Sequence, residues 1–236
     1  MRDHVRFLRR CAGWPRGNRP TLLDVGCGSG SFLAAASRQG FEVFGMDRSA
    51  HAVHAARSAG IEVRQGAIGS SIWEGRRFDF VTMFHVLEHL PDPRMALKYA
   101  VSLLRPGGTL IIQVPNIHSI QARLFGKRWY GLDVPRHLID FSPKALSHLL
   151  QEMGYNFQLV SRFSLRDNPA SIASSLALWL DPVRRKGRGL NSNPVISGLL
   201  EISYFGLFLL ALPAAFLESV CGFGGTIWAF ARLKDR

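Results

Sequence analysis

"LLDVGCGSGSF", Leu22 to Phe32, is the stretch whose reading decides the fold. A short apolar run closes on glycines at 26, 28 and 30, and a small-residue helix, "SFLAAASRQG", follows and ends at Gly40. Glycine lets the backbone come close to a ligand, and the start of a helix offers unpaired N–H groups and the positive end of its dipole. The spacing is G-x-G-x-G, not the G-x-G-x-x-G of dinucleotide sites, because position 31 is serine.

Outward from that turn, strands and helices alternate. "FEVFGMD" is a second strand ending in Asp47, and "SAHAVHAARSAG" a helix stopped by Gly60. "IEVRQG" is a third strand, "FDFVTMFHV" a fourth, and "GGTLIIQVP" a fifth, with a helix near "DPRMALKYAVSLL" before it. Alternation of this kind predicts an α/β fold of parallel strands with crossover helices on both faces. An irregular stretch, "NIHSIQARLFGKRWYGLDVPRHLIDFS", comes next. The helix "SPKALSHLLQEMG", a sixth strand "NFQLVSRFSL" and a last strand "GTIWAFARLK" complete the pattern. An acid ending the second strand sits where a carboxylate can hold both hydroxyls of a ribose.

Composition narrows the classes. The 236 residues are 47% apolar, enough for a buried core, which excludes wholesale disorder. The formal charge of +12 attracts phosphate-bearing partners: nucleic acid, anionic lipid or nucleotide-like substrates. Cys11, Cys27 and Cys221 are scattered and odd in number, so they frame no disulfide scaffold and fit a reducing cytosol. The basic start, "MRDHVRFLRRCAGWPRGNRP", has no apolar run behind it and reads as a helical or flexible lead-in, not a secretory signal.

Together "LLDVGCGSG", Asp47, "FDFVTMFHVLEHL" and "LLRPGGTLIIQVPN" resemble a class I S-adenosylmethionine-dependent methyltransferase over residues 20 to 165. The resemblance is to the group of ubiquinone-type O-methyltransferases and methyltransferases of bacterial surface-saccharide pathways. It implies a Rossmann-like, seven-stranded, mostly parallel sheet with an antiparallel last strand and an apolar helical insertion before it. The expected division is a lead-in at 1–20, a core at 21–165, an insertion at 166–224 and a final strand at 225–236. The cofactor implied is S-adenosyl-L-methionine. Asp24 would orient the glycine turn, Gly26, Gly28 and Gly30 would meet the methionine moiety, and Asp47 the ribose. Cys27, Arg48, Phe84 and His85 join this expected site. Many relatives carry an acid after the third strand for adenine; here "RQGAIGS" leaves only the backbone of Gly66 and Ala67.

"FHVLEHL", Phe84 to Leu90, also has the H-x-x-E-H spacing of a family of zinc peptidases. That chemistry needs the pair on a long helix with a further ligand downstream, which the chain does not supply. In the methyltransferase setting the string is expected to be a cofactor-pocket wall, with plain packing or a divalent ion as the alternatives, and no metal ligand is assigned. Some quinone O-methyltransferases bind a divalent ion here, but His85 replaces their first acid, and imidazole suits zinc better than magnesium. His137 in "PRHL" is the first candidate for the base, with His89 and His118 behind it. A structural hydrogen bond is the alternative for His137. Arg128 and Arg136 are candidate anion holders, and Trp129 and Tyr130 a pocket wall or core packing.

Within the insertion, "RRKGR" at Arg184–Arg188 precedes "ISYFGLFLLALPAAFL", Ile202 to Leu217, which is apolar on every side. That run is shorter than the roughly 20 residues of a spanning helix, so a span requires a start near Val195 and tolerance of Glu201. A helix buried in a partner or dipping into one leaflet is the expectation; a lid packed wholly within the domain is the alternative. The partners expected are therefore a small-molecule or lipid-linked acceptor and a peripheral or monotopic membrane contact through 184–217. The place expected is the cytoplasm, at the inner face of the membrane. The rival readings are a nucleic-acid methyltransferase and a non-catalytic cofactor-binding module. Against the first, strand four ends in "MFHV", not the Asn/Asp-Pro-Pro-aromatic string that serves base amino groups. Against the second stand the intact glycine turn and Asp47.

Overall fold

The computed structural model describes residues 4, 5, 8, 19–161, 163–165, 167–187 and 193–233. Its strands are β1 (Thr21–Val25), β2 (Glu42–Asp47), β3 (Glu62–Gln65), β4 (Phe78–Phe84), β5 (Leu104–Pro115), β6 (Tyr155–Ser161) and β7 (Thr226–Leu233). The helices are α1 (Ser31–Ser37), α2 (Ala50–Ser58), α3 (Pro93–Ser102) and α4 (Ile120–Phe125), then α5 (Pro143–Glu152), α6 (Asn168–Leu176), α7 (Pro182–Gly187) and α8 (Pro194–Val220). Two compact units form among the described residues. One draws on Met1–Val114, Lys144–Leu159 and Trp228–Arg236, the other on Pro115–Pro143 and Val160–Ile227.

The strands make one seven-stranded sheet in the order β3-β2-β1-β4-β5-β7-β6. β1 pairs in parallel with β2 and β4, β2 with β3, and β4 with β5, while the last strands run antiparallel. Parallel neighbours need crossovers, which α1, α2 and α3 supply. Every residue of β1 is buried, as expected of a central strand covered on both faces, whereas edge strand β3 buries only Val63. The sheet carries the expected α/β architecture, with helices around it and an apolar helix before the last strand.

Local chemistry sets the helix ends. Ser49 caps α2 by accepting from Ala52 N at 3.3 Å, and Asp92 caps α3 from Met95 N at 3.0 Å, with Pro93 in the first turn. Two expectations change in length. β6 stops at Ser161, so the apolar residues Phe163 and Leu165 are not strand. At the other end of the chain, His4, Val5 and Leu8 are helical and buried, and His4 Nε2 lies 3.3 Å from Gln113 Oε1. His4 also packs against Phe84 and Trp228, so part of the basic start belongs to the core of its unit. Positions 1–3, 6, 7 and 9–18 of the lead-in lie outside the described residues.

In the second unit, α8 is 27 residues long, about 40 Å at the α-helical rise. It begins eight residues before Ile202 because Asn193 accepts from Val195 N at 2.9 Å and Pro194 opens the first turn. Glu201 and Pro213 both lie inside it. The helix is long and apolar enough to cross a membrane by length and composition, yet 6% of its apolar window is buried. A narrow seam, Ala211 and Ala215, packs on Ile172 of α6, while Ile202, Leu210 and Val220 stay exposed. A lid packed wholly within the protein is therefore not what α8 is.

Candidate active site

In the first unit the sheet order reverses between β1 and β4, and the segments leaving β1, β2 and β4 converge there. Ligands of open α/β sheets bind at such a point, beyond the carboxyl ends of the strands. The turn after β1 is held by Gly26 N and Cys27 N, which donate to Met46 O at 2.8 and 3.1 Å. Gly28 N donates to Asp47 Oδ2 at 2.9 Å, and Ser49 N to Asp47 Oδ1 at 2.9 Å. The acid that ends β2 thus ties the glycine turn to the start of α2.

The three glycines differ in what surrounds them, although all have positive φ. A Cβ on Gly26 would stand 2.5 Å from Val86 Cγ2, and one on Gly30 2.6 Å from Ile61 Cδ1. Nothing lies within 4 Å of where a Gly28 Cβ would be. Gly26 and Gly30 serve close packing, and Gly28 presents bare backbone to open space. Gly26→Ala is expected to cost about 2–3 kcal/mol, from left-handed strain and the clash with Val86. A denaturant midpoint unchanged from wild type would contradict this.

Asp24 is buried, and Thr82 Oγ1 donates to its Oδ1 at 2.6 Å. Burial, eased by the Thr82 hydroxyl and reinforced by nearby Asp47, pushes the Asp24 carboxyl up to about 7. Beside it, burial and the same two acids push the Cys27 thiol up to about 12, so the sulfur is a packed thiol and not a nucleophile. Two residues escape a reading of the sequence. Thr82 gives only the signal of one polar side chain in the buried run "FVTMF", and Gly45 that of a lone glycine inside β2. A Cβ at Gly45 would meet Cys27 Sγ at 2.7 Å.

This cradle fits S-adenosylmethionine. Gly28 admits a ligand onto the backbone, and each Asp47 oxygen, holding one N–H, keeps a lone pair for a ribose hydroxyl. At the expected adenine end, Gly66 N is committed to Asp47 O at 3.0 Å and Ala67 O accepts from Ser70 N and Oγ. Arg48 is exposed, and its carbonyl accepts from Gln65 Nε2 at 3.3 Å. Phe84 packs edge-on to Phe32 with ring centroids 4.8 Å apart.

After β4 the backbone of His85 turns left-handed, with φ 54°, and Leu87–His89 forms a single 3-10 turn. Two imidazoles on consecutive turns of one long helix, as the zinc-peptidase spacing requires, are therefore not formed. Instead His85 Nδ1 sits 3.1 Å from Oε1 of the buried Glu88. His89 is half-buried in the same turn.

In the second unit, His137 lies in the loop after α4, where Arg136 N and His137 N both donate to Asp133 O. His137 Nδ1 is 2.7 Å from Gly131 O, and a carbonyl acceptor requires that nitrogen to carry the proton. The bond fixes the loop and makes Nε2 the basic nitrogen. His118 is exposed, its N–H bonded to Asn116 Oδ1. Trp129 is buried, donating Nε1–H to Gln121 Oε1 at 3.1 Å, whereas half-buried Tyr130 and exposed Arg128 line a cleft. Arg136 pairs with Asp133 at 3.1 Å.

Comparison with known proteins agrees with this geometry. Residues 2–160 match the family model described as "Methyltransferase domain". A "Ubiquinone biosynthesis O-methyltransferase" of Alkalilimnicola ehrlichii is 35% identical over 47% of each chain. One of the same name from Cereibacter sphaeroides is 32% identical over 66% of this chain and 67% of that one. The chain thus spans just under half the length of the first relative and about two thirds of the second. Among solved structures, a SAM-dependent methyltransferase from Archaeoglobus fulgidus superposes with a TM-score of 0.59 at 20% identity, over 99% of this chain and 95% of that one. That likeness speaks to the fold alone. With the family match over residues 2–160 joined to this fold and its glycine turn, the chain belongs to the class I S-adenosylmethionine-dependent methyltransferases.

Proposed function

We propose that this methyltransferase O-methylates a small or lipid-linked acceptor of quinone or saccharide type at the inner face of the cytoplasmic membrane. The observation that carries the lipid-linked reading is α8, whose large apolar side chains face outward along a 27-residue helix. Contiguous exposed apolar surface of this kind is unusual on a protein that stays in water, and it marks a membrane or a partner. The printed name of the relatives supports oxygen as the methylated atom.

The cofactor supplies an electrophilic methyl group, so the chain's tasks are to hold, align and deprotonate. Asp47, Gly28 and their neighbours do the holding. His137 takes the acceptor's hydroxyl proton on Nε2, with Nδ1–H anchored on Gly131 O; His89 is the second candidate. His137→Gln is expected to slow methyl transfer on the order of 10²-fold with cofactor affinity unchanged. A rate within twofold of wild type would remove His137 from the mechanism.

Membrane contact is tested by flotation with anionic vesicles. Ile202→Glu with Leu210→Glu, at positions 70% and 78% exposed, should abolish flotation and leave cofactor binding intact. Undiminished flotation would assign the contact to another surface.

A further inference from the structure

The second unit contains a cleft of about 410 Å³ between the segment Lys127–Val134, the end of α6 and the start of α7. Its lining carries three cations, Lys127, Arg128 and Arg184, against one acid, Asp133. Among the described residues, no ion pair engages any of the three, whereas Asp133 is bound by Arg136 at 3.1 Å. The formal charges of the lining therefore sum to a positive value. Tyr130 adds a phenol there, and burial, with Asp181 and Asp133 nearby, pushes its pKa up, so it stays a hydrogen-bond donor.

The same lining also carries apolar side chains. Val134, Leu176 and Trp179 border the cleft and are 74%, 60% and 69% exposed. Cations and exposed apolar side chains in one lining complement a molecule that carries both an anionic and an apolar group. Guanidinium and ammonium groups suit phosphate oxygens, and an exposed tryptophan suits the boundary between headgroup and hydrocarbon.

Arg184 is held in place from below. The buried Asp181 accepts from Arg184 N at 3.1 Å and Val183 N at 2.8 Å, and Ser174 Oγ donates to its other oxygen at 2.6 Å. The carboxylate is spent on backbone and hydroxyl donors, which leaves the guanidinium for the cleft. We propose that this cleft is a phosphate-binding site for the headgroup of an amphiphile, built by Lys127, Arg128 and Arg184 with Trp179 at its apolar edge. It goes beyond the methyl-transfer reading and does not depend on which atom is methylated.

The test uses the full chain, vesicles of phosphatidylcholine with or without phosphatidylglycerol, and inorganic pyrophosphate. The triple variant Lys127→Gln, Arg128→Gln, Arg184→Gln is compared with Arg38→Gln, Arg77→Gln, Lys98→Gln, which removes the same charge from exposed positions of the first unit. The cleft variant should lose on the order of a hundredfold in affinity for phosphatidylglycerol vesicles, at about fivefold per cation, and the control less than about threefold. Pyrophosphate binding measured by calorimetry and lost only in the cleft variant would support the site with a soluble phosphate as its source. Selective loss on vesicles without pyrophosphate binding would support it with a lipid headgroup as the source. Equal losses in both variants would overturn the proposal, since net charge alone would then explain the attraction. Wild-type pyrophosphate binding that persists in Ile202→Glu, Leu210→Glu separates a failure of membrane docking by α8 from a failure of the cleft.

Discussion

Asp47→Ala is expected to weaken S-adenosylmethionine binding by about 10²- to 10⁴-fold. The carboxylate holds Gly28 N and Ser49 N at 2.9 Å each, and its remaining lone pairs would accept from the ribose hydroxyls in the proposed site. Two hydrogen bonds to a charged acceptor contribute about 1.5–3 kcal/mol each, which gives the range. Loss of the Gly28 anchor loosens the turn as well. Asp47→Asn keeps one acceptor oxygen and should cost about tenfold. Calorimetry on the purified protein measures both. Affinity unchanged in the alanine variant, with its thermal midpoint preserved, would place the ribose elsewhere.

Asp24→Asn should stabilise the protein above neutral pH while impairing its function. A carboxyl lifted from 3.8 to about 7 by burial binds its proton more tightly in the folded chain than in the unfolded one. Its contribution to stability is therefore greatest below pH 3.8, falls as pH rises toward 7 and is level above that. Above pH 7 the folded state carries an ionised, buried group, a penalty of about 4 kcal/mol. Asparagine removes the charge and keeps an oxygen for the Thr82 hydroxyl. The variant should match wild type near pH 4 and exceed it by about 3–4 kcal/mol at pH 8 in urea unfolding. Cofactor binding should weaken, because a carboxylate beside the cradle attracts the positively charged cofactor. Equal stability of the two proteins at pH 8 would show that Asp24 is not held near neutrality.

Features written in consecutive residues were legible in the sequence: the glycine turn after β1, the acid ending β2, and the alternation that made the sheet. Features that depend on register were not. Asp24 and Thr82 are 58 residues apart and meet only because β1 and β4 pair Asp24 with Thr82. The H-x-x-E-H string carried a helical spacing with no helix beneath it, since the left-handed backbone at His85 breaks the 3.6-residue period. The start of α8 was hidden for a different reason. Its cap, Asn193–Pro194, precedes a mixed stretch that holds Ser197, Gly198 and Glu201, so the apolar run understated the helix. His4 was masked by its setting among arginines, although its ring packs on Phe84 and Trp228.

Under the proposed function, the cofactor's methyl group goes to an acceptor extracted with lipids. The most direct test is to incubate the purified protein with methyl-labelled S-adenosylmethionine and a whole-cell lysate of its source, then separate lipid, saccharide, RNA and protein fractions. The account predicts label in the solvent-extractable fraction, lost on Asp47→Ala and strongly reduced on His137→Gln. Label confined to RNA would contradict it, and the charge of +12 would then mark a nucleic-acid substrate.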